Sequence, residues 1–166
     1  CVAKMTIKAG DEYMDKLGMA GTRVPAISKK AIYEGAKIIT DAIRAKIQNL
    51  PEEKFRLLKT GEKFSGVPKE HKQALLDGLG IMRISEDKNG DYMTRIGWEG
   101  YAGPTTASTK YPRGLPAALI ARSINKGTIV RRKIPFVRQA INEEKERATA
   151  AMDEVINREL EKLMKR

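Results

Sequence analysis

Pro25-Ala-Ile-Ser-Lys-Lys-Ala-Ile-Tyr-Glu-Gly-Ala-Lys-Ile-Ile-Thr-Asp-Ala-Ile-Arg-Ala-Lys-Ile-Gln-Asn-Leu50 is the stretch whose reading decides the fold class. Ile32, Ala36, Ile39, Ile43, Ile47 and Leu50 recur at steps of four, three, four, four and three. That spacing draws one apolar stripe along a helix of about seven turns. Pro25 suits the first turn, and Pro51 cannot continue the helix. Lys29, Lys30, Glu34, Lys37, Asp41 and Arg44 fall on the other side, so the helix has a buried face and a solvated back.

Towards the C terminus, Pro135 opens a second long helix running to Met164, with Ile141, Ala148, Met152, Ile156, Leu160 and Leu163 as its stripe. The elements between are short. Pro68 begins a helix through Leu75, Leu76 and Leu79, closed by Gly78 or Gly80. Ile81–Glu86 and Tyr92–Trp98 flank Asp87-Lys88-Asn89-Gly90-Asp91, an Asn-Gly hairpin signal in a five-residue loop. Met82 and Ile84 are expected on one face, and Tyr92, Thr94, Ile96 and Trp98 on another. Pro116 begins a helix with Ala117, Ile120, Ala121 and Ile124 inward and Gly127 at its end. Thr128–Lys133 is expected to add a strand. Before Pro25, Val2–Lys8 reads as a strand and Glu12–Met19 as a short helix capped by Asp11. The expectation is an α+β fold: two long amphipathic helices packed on a small, mainly antiparallel sheet, with two or three short helices. Residues 1–166 form a single domain, with a flexible basic loop at about 99–115.

Composition removes several classes of function. The 166 residues are 41% hydrophobic and 32% charged, which is globular, and no run approaches the ~18 apolar residues of a membrane span. One cysteine and one histidine exclude a disulfide scaffold within the chain and zinc-finger arithmetic. Cys1 reads as a clipped end rather than an N-terminal nucleophile, and the residues after it lack the apolar region of a secretory signal. Gly61-Glu-Lys-Phe-Ser-Gly66 has the glycine spacing of a phosphate loop. Val67-Pro68 then stands where Lys and Ser or Thr would grip the phosphates and Mg²⁺. His71, between Glu70 and Lys72, is expected on the surface. The carboxylates interleave with lysines as helix-surface pairs. No constellation calls for an enzyme, a metal or a cofactor.

The net charge of +11 is concentrated. Between Pro104 and Pro135 stand Lys110, Arg113, Arg122, Lys126, Arg131, Arg132 and Lys133, with no Asp or Glu. Trp98, Tyr101 and Tyr111 lie in or beside this segment. Lys110, Arg113, Arg131, Arg132 and Lys133 are therefore the candidate contacts for a phosphate backbone or an acidic protein partner. No recognised nucleic-acid module accompanies them, so DNA contact is expected to be nonspecific. A basic nucleic-acid-binding regulator is the alternative, and an enzyme with a carboxylate site a third.

The early helix Ala31-Ile-Tyr-Glu-Gly-Ala-Lys-Ile-Ile39 is followed by a hairpin, then Pro116-Ala-Ala-Leu-Ile-Ala-Arg-Ser-Ile-Asn-Lys-Gly-Thr128 and Ile134-Pro-Phe-Val-Arg-Gln-Ala140 leading into the last helix. In this order and in these motifs the chain resembles the tail-component family of long-tailed bacteriophages, also described as neck or tail-completion proteins. The resemblance covers most of residues 5–164, and the Pro-Phe-x-Arg-x-Ala stretch with the preceding Gly-Thr is its most specific part. It implies a structural virion protein at the head–tail junction, in a phage or prophage, assembled in the bacterial host cytoplasm. Such a protein joins copies of itself in a ring around the DNA channel, between neighbouring neck and tail proteins. The long 52–80 segment and the Thr-rich 104–110 loop depart from the family pattern, and are expected to be the partner-specific regions.

Overall fold

A computed structural model describes residues 3–6 and 23–164; the helix expected at Glu12–Met19 lies outside them. Strand β1 (Ala3–Thr6) is followed by helix α1 (Val24–Gln48), helix α2 (Lys69–Gly78), strands β2 (Leu79–Ile81), β3 (Ser85–Glu86) and β4 (Tyr92–Trp98), helix α3 (Ala117–Lys126) and helix α4 (Phe136–Met164). This is the α+β architecture that the periodicities require.

The two long helices run antiparallel. Lys30 meets Glu159 at 2.7 Å near one end of the pair, and Lys46 meets Glu143 at 2.7 Å near the other. Between them Gly35 lies under Met152, where a Cβ would come within 2.6 Å of the sulfur. The α1 stripe is buried throughout, including Leu50 beyond the helix end. In α4 the inward residues are Phe136, Val137, Ala140, Ala148, Met152 and Val155, with Ile141 and Ile156 half-buried. Val155, absent from the expected stripe, is buried in a small cluster with Ala31 and Met152.

β4 is the middle of the antiparallel sheet. β1 pairs with one side (Ala3 opposite Ile96, Thr6 opposite Met93), and β2 and β3 share the other side (Ile81 opposite Ile96, Ser85 opposite Met93). The single strand expected over Ile81–Glu86 is thus two pieces with a break at Met82–Ile84. Thr94 Oγ1 donates to the Met82 carbonyl at 2.6 Å there. Met82 lies over Gly97 and is exposed. Leu79 belongs to β2 rather than to the helix before it. The turn joining β3 to β4 is closed by the Asp87 carboxylate, which accepts from the amides of Asn89 and Asp91, and Gly90 supplies the left-handed residue.

Thr94, Ile96 and Trp98 point inward from β4. Trp98 packs edge-on against Phe136, ring centroids 6.0 Å apart, and its indole nitrogen donates to the Leu75 carbonyl at 3.0 Å. α3 buries Ala117, Ile120, Ala121 and Ile124 against the same core. Gly127, at φ +75, ends it.

The strand expected over Thr128–Lys133 does not form. The chain turns back on itself, with Thr128 and Arg131 exchanging backbone hydrogen bonds, and Ile134 donating to the Ile124 carbonyl. A segment that must return at once to start α4 has no length left for a strand.

Candidate interaction surface

The segment 52–67 leaves α1 after Pro51 and returns to the core before α2. Its base is closed by two backbone bonds, Val67 to the Pro51 carbonyl at 2.8 Å and Glu53 to the Val67 carbonyl at 3.1 Å. Inside, the Glu53 carboxylate accepts from the amides of Ser65 and Gly66 at 2.8 and 2.9 Å. Those two amides, and to a smaller degree the Arg56 charge, hold its pKa below the usual carboxylate range. The glycine-spaced Gly61–Gly66 stretch therefore cradles an anion after all, but that anion is the chain's own Glu53. Arg56 grips Glu62 with both terminal nitrogens, and with the Lys59 amide it lowers the Glu62 pKa to about 2.

The turn at 128–133 lies beside this loop. Phe64 donates to the Val130 carbonyl at 2.9 Å, and Arg132 donates to the Phe64 carbonyl at 2.9 Å. Beneath them Arg131 is only 7% exposed, its guanidinium directed at the Gly66 carbonyl at 3.4 Å. Burial lowers its pKa, opposed by the Glu53 charge. Arg131 is thus a correction to the candidate set: it ties the turn to the loop from inside and is not available to DNA or a partner.

His71 is a second correction. It is 3% exposed rather than on the surface, edge-on to Phe55 at 5.3 Å, and neither ring nitrogen has a hydrogen-bond partner among the described residues. Burial, and then the nearby Arg131 charge, push its pKa below 6.5, while Glu70 opposes them. The unfolded chain therefore takes up the proton before the folded one. The stability gained from neutral His71 is complete above pH 6.5 and is lost as the pH falls below it. Thermal midpoints measured across pH 7.5 to 5 are expected to fall in the native protein and to fall less in His71→Leu. Equal slopes would show that His71 is not the group responsible. The loop carboxylates Glu53 and Glu62 act later: their stabilisation is present above 4.5 and is lost as the pH falls below it, for Glu62 as the pH approaches about 2.

On the outside of this joined pair of segments stand Phe55, Leu57, Ile129 and Val130. Phe55 packs edge-on to Phe64 at 5.4 Å, and Val130 neighbours the same residue through the backbone. Leu57 is 98% and Ile129 91% exposed. Lys54, Lys63, Arg132 and Lys133 are exposed around them. Lys63 and Arg132 share a recess of about 330 Å³ with Arg56, Glu53 and Glu62, and neither forms an ion pair among the described residues. No protein-family model, curated protein or solved structure matches this chain.

The other candidate cations stand elsewhere. Lys110 and Arg113 are exposed near the tip of the Glu99–Leu115 loop, Lys110 lying over its neighbour Tyr111 at 5.7 Å. The base of this loop is closed by Ala102 donating to the Leu115 carbonyl and by Thr106 Oγ1, which accepts from the Leu115 amide. Gly114, at φ +95, packs so closely on the Ala102 carbonyl that no side chain fits. The loop enters α3 at its N terminus, whereas Arg132 and Lys133 follow its C terminus. A ten-residue helix, about 15 Å long, lies between the two attachment points. The structure therefore joins Arg132 and Lys133 to the 52–67 loop rather than to Lys110 and Arg113. Among the described residues, no cluster of His, Cys, Asp and Glu is arranged to hold a metal ion, and no helix is long and apolar enough to cross a membrane.

Proposed function

We propose that this chain is a structural virion protein of a phage or prophage tail. In this reading it is a neck or tail-completion component at the head–tail junction that assembles as a ring around the DNA channel. One observation supports the reading most. Phe55, Leu57, Ile129 and Val130 are exposed to water on two segments that are joined by backbone hydrogen bonds at Phe64 and by a buried arginine. A protein does not gain from exposing large apolar groups on an ordered surface unless another surface covers them. The motifs around Pro116–Thr128 and Ile134–Ala140 add the family likeness. Copies of itself and neighbouring neck and tail proteins are the partners.

Exposed Lys110, Arg113, Arg132 and Lys133 supply long-range attraction to phosphates without reading any base. The isolated monomer is expected to bind DNA weakly, without sequence preference, and to lose that binding steeply with salt. Reversing these four charges to Glu is expected to leave the circular dichroism spectrum unchanged and to impair infectious particles. Counting the protein in purified particles then separates two arrangements. Normal incorporation with failed DNA retention favours a channel lining, and absence from the particle favours a docking face. Full infectivity would leave the four cations with neither role. Tight, salt-resistant binding of one DNA sequence by the native monomer would replace this reading with that of a regulator.

A further inference from the structure

A second surface lies at the other end of α2. An open trough of about 480 Å³ runs along β2 and the start of the Glu99–Leu115 loop, its floor formed by Leu79 and Ile81 and its rim by Met82 and Tyr101. Met82 and Tyr101 are large, apolar or aromatic, and exposed. At Gly80 and Gly100 no atom of the described residues lies within 4 Å of where a Cβ would be, so among those residues the space above them is open. Among the described residues, Asp77 and Glu99 are the charged groups lining the trough, and no Lys or Arg does so. In a chain of net charge +11, a recess with carboxylates alone is the complement of the chain's own basic surfaces.

α2 fixes the distance between the two surfaces. Its first turns hold the apolar tip through His71 against Phe55 and through Lys72, whose ammonium reaches Glu52 and the Leu50 carbonyl, both at 3.1 Å. Its last turn contributes Asp77 and Gly78 to the trough. Along the helix these two sets of contacts are about 10 Å apart. The tip and the trough of one copy are therefore held at opposite ends of a rigid helix.

Resting on the ring assembly proposed above, we infer that the tip of one copy docks into the trough of the next. Leu57 and Ile129 enter between Met82 and Tyr101, and Lys63 and Arg132 face Asp77 and Glu99. Two different patches meeting head to tail make a heterologous contact, which is the kind that closes into rings.

The experiment uses the full chain in sedimentation velocity over a concentration series, with two double variants. Leu57→Asp/Ile129→Asp removes the tip, and Asp77→Lys/Glu99→Lys inverts the trough. All four residues are exposed, so thermal midpoints close to the native value establish that both variants fold. Each variant alone is expected to associate at least about tenfold more weakly than the native chain. Mixed together, they are expected to form a dimer that grows no further, since one intact tip and one intact trough remain. Native-like assembly by both variants overturns the interface and leaves the ring reading in place. Assembly by the trough variant but not by the tip variant indicates a tip-to-tip contact and also overturns it, as does a mixture that gives no dimer. Retained assembly with lost binding to a random-sequence DNA duplex reassigns the tip to nucleic acid. A native chain that stays monomeric at every concentration overturns the self-docking. The tail reading is then decided separately, by whether the protein is present in purified particles.

Discussion

Phe136→Ala is expected to remove about 3–5 kcal/mol of stability, the largest single loss in the chain. Phe136 begins α4 at 1% exposure and fills the space between that helix and Trp98. Its removal leaves a cavity that the surrounding backbone cannot close, since Trp98 is held in place by its bond to the Leu75 carbonyl. A domain of this kind has about 5–15 kcal/mol in all, so the change consumes a large part of it. For a chain of this length the melting temperature should drop by about 6–20 °C. Ile156→Ala is the matched comparison. Ile156 lies half-buried against the small cluster of Ala31, Met152 and Val155, so its truncation should cost less than half as much. Urea midpoints of the two variants measure both effects. Equal losses would mean that the Trp98–Phe136 contact is not the centre of the core.

Gly78→Ala is the second change expected to do serious harm, although alanine favours helices. Gly78 is the last residue of α2, and its carbonyl accepts from the Glu99 amide at 2.9 Å. A Cβ there would lie deep inside the Glu99 carbonyl oxygen and 3.2 Å from the carbonyl carbon. Both atoms are backbone, so relief requires the helix end to move away from the strand end. Overpacking of this kind costs about 1–3 kcal/mol. Gly80, two residues on, meets nothing within 4 Å, and Gly80→Ala should stay within about 0.5 kcal/mol of the native chain. A pair of thermal melts decides the matter. Similar midpoints for the two alanines would show that α2 and β4 do not approach each other this closely.

The long helices were legible in the sequence because an apolar stripe at steps of three and four has no other compact solution. The stripe of α1 was legible to the residue, down to Leu50 past the helix end. The hairpin was legible through Asn89-Gly90, since a left-handed turn residue leaves a mark in composition. The candidate site was legible only in part. Arg132 and Lys133 are on the surface as expected, but Arg131 is not. Nothing in a run of two arginines marks one of them as buried, because what receives it is a backbone carbonyl, and carbonyls have no sequence signature. His71 failed for a related reason. Its charged neighbours suggested exposure, while the ring that covers it, Phe55, comes from a loop without periodicity. The apolar tip was missed because Phe55 and Leu57 are separated by more than seventy residues from Ile129 and Val130, and only the pairing at Phe64 brings them together. The Thr128–Lys133 segment has strand-forming residues, yet the short path back to Ile124 overrides them.

The two-bond base at Pro51, Glu53 and Val67 has a consequence for how such a chain can diversify. Everything from Lys54 to Gly66 hangs from a closed neck whose ends stay fixed whatever lies between them. Doubling the length of a loop on such a neck adds only about 0.6 kcal/mol to the entropy of closing it. Apart from Phe55, which packs on His71, and Phe64 and Gly66, which hold the 128–133 turn, this segment is therefore free to lengthen, shorten or change while the helices and sheet beneath remain untouched. A change of binding partner would then require a new insert and not a new scaffold.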